Sequence, residues 1–378
     1  MSGIYFHIPF CKTRCNYCDF YKSTNVSLIH SLKQAIKDEI TLRIDFIEDK
    51  LVQTIYFGGG TPSLLNGNDI EELITTISQL FILGESLEIT LEANPDDLTP
   101  NYLRSLKKIG INRLSIGIQS FSNQNLKFMG RRHNSDQAID AVKNAQKVGF
   151  DNISVDLIYG IPGLTFQQWQ TNLKTVFDLD IQHLSAYHLT YHEGTFFYNQ
   201  LQKGLIYEVE EEESILQFEE LIKVAEENQF IHYEISNFAR KGFYSRHNSS
   251  YWNQVEYLGL GPSAHSYNKK SRYWNVSDLS DYIEAINLKR VAGEGELLTI
   301  NDRFNDYIIT GLRTIEGINS AYIEKEFGKK YSDAVEQITQ KYLLNGKVRK
   351  EENRIKIEKK SLLISDQIIS DYLYLENK

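Results

Sequence analysis

Short runs rich in apolar and β-branched residues alternate, through the first half of the chain, with longer stretches whose apolar positions recur every three or four residues. The first pattern predicts strands at 3–8, 53–57, 87–91, 113–118, 152–158 and 183–189; the second predicts helices at 27–48, 68–80, 100–108, 135–147 and 166–179. Six strand-helix units in a row imply a parallel sheet with right-handed crossovers. Ligands of such sheets collect at the carboxyl ends of the strands, where loops and helix N-termini converge. Cys11 follows the first strand, Gly58 to Thr61 the second, Glu92 the third and Gln119 the fourth. Asp156 lies late on the fifth and Ala186 on the sixth. The expected architecture is an open (β/α)6 partial barrel with its site at that rim.

The second half reads differently. A Glu-rich helix is expected over 207–228, with Glu210 to Glu213 as a solvated face. Short strands and turns follow to 273, then a helix at 278–289 and a linker at Gly293-Glu-Gly295. Helices at 302–314, 321–327 and 332–344, a charged hairpin at 347–359 and a final helix at 362–375 resemble a winged-helix-like α+β domain, taken here as a packing or lid module. The expected division is 1–206 for the partial barrel, 207–292 for its extension and 293–378 for the C-terminal domain.

Composition narrows the function classes. Of 378 residues, 41% are hydrophobic, enough for a proper core. No apolar run is long enough to span a bilayer, and the start lacks a signal peptide's basic flank and apolar centre. The expected location is the cytoplasm, with transient contact at the inner face of the membrane. A net charge of -9 argues against a broad grip on phosphate backbones, so no nucleic-acid partner is expected. A homodimer is compatible with all of this. The 23 tyrosines suit a pocket for a flat ligand and equally an aromatic core.

The only three cysteines, Cys11, Cys15 and Cys18, crowd into one polar loop. Three thiolates are one ligand short of what a tetrahedral zinc site or a fully held iron-sulfur cluster takes, so a cubane held this way keeps one iron open. A Cys3His zinc site recruiting His7, or thiols serving as small apolar groups, are the competing readings. Gly58-Gly-Gly-Thr-Pro62, after a strand, lets backbone approach a ligand where a Cβ would collide. Glu92, Arg131 and Asp156 are charges beside apolar strands, each in need of a partner, whether an internal ion pair or a ligand. Arg132 rivals Arg131.

The spacing Cys-x3-Cys-x2-Cys together with Gly-Gly-Thr-Pro resembles the radical S-adenosylmethionine (SAM) superfamily. Tyr5-Phe-His-Ile-Pro-Phe-Cys11, Gly117-Ile-Gln-Ser-Phe121, Asp156-Leu-Ile-Tyr-Gly-Ile-Pro162 and Gly259-Leu-Gly-Pro-Ser-Ala-His265 are similar to the family of oxygen-independent coproporphyrinogen III oxidase and its HemW-type heme-chaperone branch. The resemblance implies a [4Fe-4S] cluster on Cys11, Cys15 and Cys18. It implies SAM at Tyr5, Tyr17, Gly59, Gly60, Thr61, Glu92, Gln119, Arg131, Asp156 and Ala186.

Two places separate the branches. The oxidase continues to a fourth cysteine two residues after the third, where this chain has Phe20. Arg246-His-Asn-Ser-Ser-Tyr-Trp252 matches the chaperone branch's heme motif, which implies His247 as the ligand of heme iron, Tyr251 and Trp252 against the macrocycle and Arg246 near a propionate. His188, His192 and His265 are spare ligand candidates. The resemblance thus implies a heme chaperone delivering heme to membrane hemoproteins of the respiratory chain. The alternatives are a porphyrin-biosynthetic radical SAM oxidase, a methyltransferase-like relative, or an RNA-modifying enzyme, the last weakened by the acidic charge.

Overall fold

A computed structural model describes residues 2–374. Its first strand, β1 (Ser2–Ile8), is followed by α1 (Ile29–Leu42), β2 (Leu51–Gly59), α2 (Gly67–Leu80), β3 (Ile82–Ala93), α3 (Pro100–Lys108), β4 (Arg113–Gln119), α4 (Asn123–Phe128), α5 (Ser135–Val148), β5 (Ile153–Tyr159), α6 (Phe166–Asp178) and β6 (His183–His188). Polar residues start α2 to α6: Asn66, Thr99, Ser122, Asn134 and Thr165 each accept a backbone N–H of the first turn, satisfying a donor that lacks an intrahelical partner. Strands β1 to β6 are parallel neighbours in chain order. This is the partial barrel expected from the alternating pattern.

The extension continues the same sheet. After α7 (Phe196–Gln202) and α8 (Glu211–Glu227), the antiparallel pair β7 (Ile231–Glu234) and β8 (Asn237–Ala239) adds to the β6 edge. Then α9 (Arg246–Trp252) leads to β9 (Glu256–Leu260), which runs parallel to β1 at the other edge. There β10 (His265–Tyr267), β11 (Ser271–Asn275) and, after α10 (Leu279–Asn287), β12 (Gly293–Leu297) complete a 12-stranded sheet. The stretch expected as a linker at Gly293-Glu-Gly295 is therefore the outermost strand. Its glycines fit the close approach of β11, where a Cβ on Gly293 would meet the Trp274 carbonyl oxygen at 2.1 Å.

A second apolar core begins at Phe304 and gathers Ile308, Ile323, Val335, Ile355 and Ile368. It is built by α11 (Ile300–Leu312), β13 (Ile318–Asn319), α12 (Ser320–Phe327), α13 (Lys329–Leu344), the hairpin β14 (Val348–Glu351) and β15 (Arg354–Ile357), and α14 (Ser365–Tyr372). The helix expected at 362–375 opens with a 3-10 segment, Lys359–Ile364, and its expected last residue, Leu375, lies outside the described residues. Leu362 packs against both cores. No helix among the described residues is long and apolar enough to cross a membrane.

Candidate functional site

Loops at the carboxyl ends of the parallel strands surround a cavity of about 1810 Å3. Its wall brings together Cys11, Cys15, Cys18, Tyr17, Gly59, Gly60, Thr61, Glu92, Gln119, Arg131 and Asp156, residues separated by up to five strands in sequence. Tyr5 and Ala186 do not reach this wall. Tyr5 lies beneath it with its hydroxyl 3.1 Å from His7 Nδ1, and Ala186 is buried on β6 against Leu157.

The cysteine loop is pinned from several directions. Cys11 N donates to Ser23 O, Asn16 N to Met129 O, and Phe197 N to Asn16 O. Lys12 pairs with Asp97 at 2.7 Å, and Ser63 Oγ donates to the same carboxylate at 2.9 Å. All three thiols are free, and burial first, then the charges of Cys18 and Cys15, push the Cys11 thiol up. Thiols crowded this way favour a cation or a cluster that replaces their protons. His7 does not line the cavity, so the fourth ligand of the zinc reading is not brought to the thiols.

The glycine turn has little spare room. A Cβ on Gly60 would sit 2.8 Å from the Phe10 carbonyl oxygen, and one on Gly59, whose φ is +108°, would sit 2.9 Å from the His7 ring. The Gly59 N–H donates to Glu92 Oε2 at 3.2 Å, and Tyr56 Oη donates to Oε1 at 2.8 Å. Burial nevertheless raises the Glu92 carboxyl to about 7, against the lowering effect of those two bonds. Burial likewise raises Asp156 to about 6, while hydrogen bonds from Ser185 and Ser115 and the nearby Arg113 act the other way. Buried carboxyls near neutrality, in a polar cradle, suit a ligand bearing positive charge and hydroxyls.

Arg131 reaches across the cavity. Its Nη2 donates to Asn94 Oδ1 at 2.5 Å and Gly117 O at 2.6 Å, and its Nη1 to Cys15 Sγ at 3.3 Å. Nε of Arg131 is buried without a partner, the remaining donor for an anionic ligand group. Arg132, the rival, is spent on ion pairs with Asp96 at 3.0 Å and Asp97 at 3.2 Å.

His247 stands apart from this arrangement. Only 1% exposed, it lies on α9 beneath the barrel interior, with Nδ1 2.8 Å from Thr54 Oγ1 and Nε2 2.8 Å from Tyr251 Oη. Its ring stacks on Tyr56, centroids 5.0 Å apart, and burial lowers the imidazole to about 3. Both nitrogens are engaged, so the expectation of an available iron ligand is not met in this conformation. Arg246 is likewise committed, to Gln53 and the Ser86 carbonyl, and Trp252 is covered by the Arg313 guanidinium. Of the spare histidines, His188 and His192 line the cavity and His265 does not.

Sequence reasoning passed over three polar contributors: Asn94, which holds Arg131; Ser115, which donates to Asp156 at 3.3 Å; and Arg113, buried below both carboxyls. The signal for Arg113 was parity: it shares a strand face with Ser115 and Gly117.

The sequence profile of the radical SAM superfamily matches residues 5–176. The heme chaperone HemW of Lactococcus lactis subsp. lactis (strain IL1403) is 34% identical over 92% of each chain, and that of Bacillus subtilis (strain 168) is 31% identical over 99% of each. Among solved structures, the coproporphyrinogen III oxidase of Escherichia coli, a radical SAM enzyme, has a similar fold, with a TM-score of 0.85 at 23% identity over 98% of this chain and 90% of that one.

Proposed function

We propose, from the premise that this chain belongs to the HemW family within the radical SAM superfamily, that it is a heme chaperone, holding a [4Fe-4S] cluster and SAM at the rim and passing heme to membrane hemoproteins of the respiratory chain. Cys11, Cys15 and Cys18 are the cluster's ligands in this reading. A cubane on three thiolates supplies one iron with a coordination position to spare. Around it, the Gly59–Thr61 backbone takes the methionine amino group, Glu92 and Asp156 accept from ribose hydroxyls and ammonium, and Arg131 faces the carboxylate.

The observation that carries the chaperone over the oxidase is Phe20. Where the oxidase has its fourth cysteine, this chain places an aromatic ring that lines the cavity and is 63% exposed. A phenyl ring can neither donate a proton nor form a radical thiyl, but it can cover an apolar ligand. Heme ligation through His247 requires α9 to leave the barrel floor and give up the Thr54 and Tyr251 bonds, while His188 offers an imidazole already in the cavity, with Nε2 3.0 Å from Ser214 Oγ.

Anaerobic, cluster-loaded protein given coproporphyrinogen III, SAM and a reductant is expected to yield no protoporphyrinogen IX, and to retain heme. Formation of protoporphyrinogen IX rejects the chaperone reading. Heme titrations of His247→Ala and His188→Ala then identify the ligand. Retention lost in His247→Ala alone, with unfolding checked in parallel, assigns His247 and implies the α9 movement; retention lost in His188→Ala alone assigns the cavity histidine.

A further inference from the structure

Below the cavity lies a buried cation with no direct ion pair among the described residues. Arg113 opens β4 and is 1% exposed, yet no carboxylate among the described residues lies within 4.0 Å of its guanidinium, and its Nε has no hydrogen-bond partner. Strand register fixes where it points. Glu92 pairs with Ser115 across β3 and β4, Gly117 with Asp156 across β4 and β5, and Thr90 with Arg113. Side chains alternate along a strand, so Arg113, Ser115 and Gly117 share the inward face with Glu92 and Asp156, and Arg113 sits one layer, roughly 6–7 Å, beneath Ser115. An isolated buried guanidinium is costly, and a fold that keeps one offsets the cost with longer-range charge.

We infer that Arg113 is a positioning residue for SAM: its buried charge, one layer under the cavity floor and on the strand face shared with Glu92 and Asp156, compensates the two carboxylates and so fits them to accept the cationic ligand. The inference rests on the reading of this cavity as the SAM site. The groups facing the two carboxyls are Tyr5 and Tyr56 from β1 and β2, Arg113 from β4, Tyr187 from β6, Tyr251 from α9, and Arg131 from the loop after α4. Only two of these are cations, and Arg131, held by Asn94, Gly117 and Cys15, keeps its Nε for the anionic end of the ligand. Arg113 acts on both carboxyls in the same sense, favouring their charged forms, and disfavours protonation of His183 and His247 nearby. With both carboxylates ionised, Arg113 balances one of them from below, and Arg131 stands over Asp156 with its Nε left for the anionic end of the ligand. A ligand with a sulfonium and an ammonium for the carboxylates and a carboxylate for Arg131 complements that arrangement.

Two measurements on Arg113→Met and Arg113→Lys test this. SAM affinity of cluster-loaded protein, followed from pH 5.5 to 9, is expected to fall on the acid side for the wild type; Arg113→Met moves that fall upward by about one pH unit, which is ~10-fold weaker binding at pH 7, and Arg113→Lys restores most of it. Without SAM, the stability deficit of Arg113→Met against the wild type grows as pH rises from 5 to 8, because two carboxylates then ionise with no cation beneath them. A folded Arg113→Met with wild-type profiles in both measurements overturns the inference. If Arg113→Met does not fold, adding Glu92→Gln is expected to restore folding by removing one negative charge; a pair that still fails, when Glu92→Gln alone folds, overturns it too. A wild type that binds no SAM at any pH rejects the reading of the site, and the ligand-free stability measurement still decides the role of Arg113.

Discussion

Glu92 shows how a single side chain ties stability to ligand. Its carboxyl, raised by burial from 4.5 to about 7, binds its proton more tightly in the folded chain than in the unfolded one. Such a group contributes stability that is full below the unfolded value and lost as pH climbs through the folded one. Replacing it with Gln removes that proton equilibrium, so Glu92→Gln is expected to gain stability relative to the wild type between pH 4.5 and 7, read from urea midpoints of ligand-free protein. The comparison has to be with the variant, because buried His7, lowered to about 4, drives the wild type the other way as pH falls below 6.5. Legibility at this scale followed motif and strand position. Glu92, Gln119 and Asp156 could be placed at strand ends from pattern alone, whereas Arg113 is a lone cation in an apolar run, which spacing reads as a boundary. His247 was legible through its motif but not as a buried group: the motif does not encode that Thr54 and Tyr251 close both ring nitrogens.

Elements that add to the barrel depend on a buried polar network. Glu39 on α1, completely covered, accepts from Tyr282 Oη at 2.6 Å, Asn275 Nδ2 at 2.7 Å, the Gly261 N–H at 2.9 Å and Arg43 Nη1 at 3.1 Å. One carboxylate thereby fastens α1 to α10, to the end of β11 and to the turn after β9. Removing it strands the Arg43 charge, and Glu39→Ala is expected to cost about 3–5 kcal/mol in chemical unfolding. The same network holds the stretch Gly259-Leu-Gly-Pro-Ser-Ala-His265 in place, although His265 lies outside the cavity wall. A Cβ on Gly261 would collide with the His7 carbonyl oxygen at 2.5 Å, so the glycine marks close packing of strands. The six central strands were legible because each is a buried apolar run. The edge strands β7, β8 and β10 to β12 were not resolved one by one, being short, partly polar and paired with segments far away in sequence.

Across the whole molecule, the two apolar cores meet along the segment Lys359–Ile364, where Leu362 touches both and Leu363 and Ile364 line the cavity. The alternation of pattern, the glycine turn and the cysteine spacing together made the barrel and its rim readable, since each reports a local geometric need. The antiparallel additions at both sheet edges and the plugging of the barrel by α9 arise from long-range packing that no local spacing encodes. At the cavity wall, the Phe20 ring is exposed. An occupant that enters past this ring also leaves past it, so a bulkier side chain there hinders both directions. Widening the ring at position 20, as in Phe20→Trp, is expected to slow capture and escape of an occupant by similar factors, with the dissociation constant nearly unmoved in stopped-flow measurements. A larger stopper lengthens every visit and every wait alike.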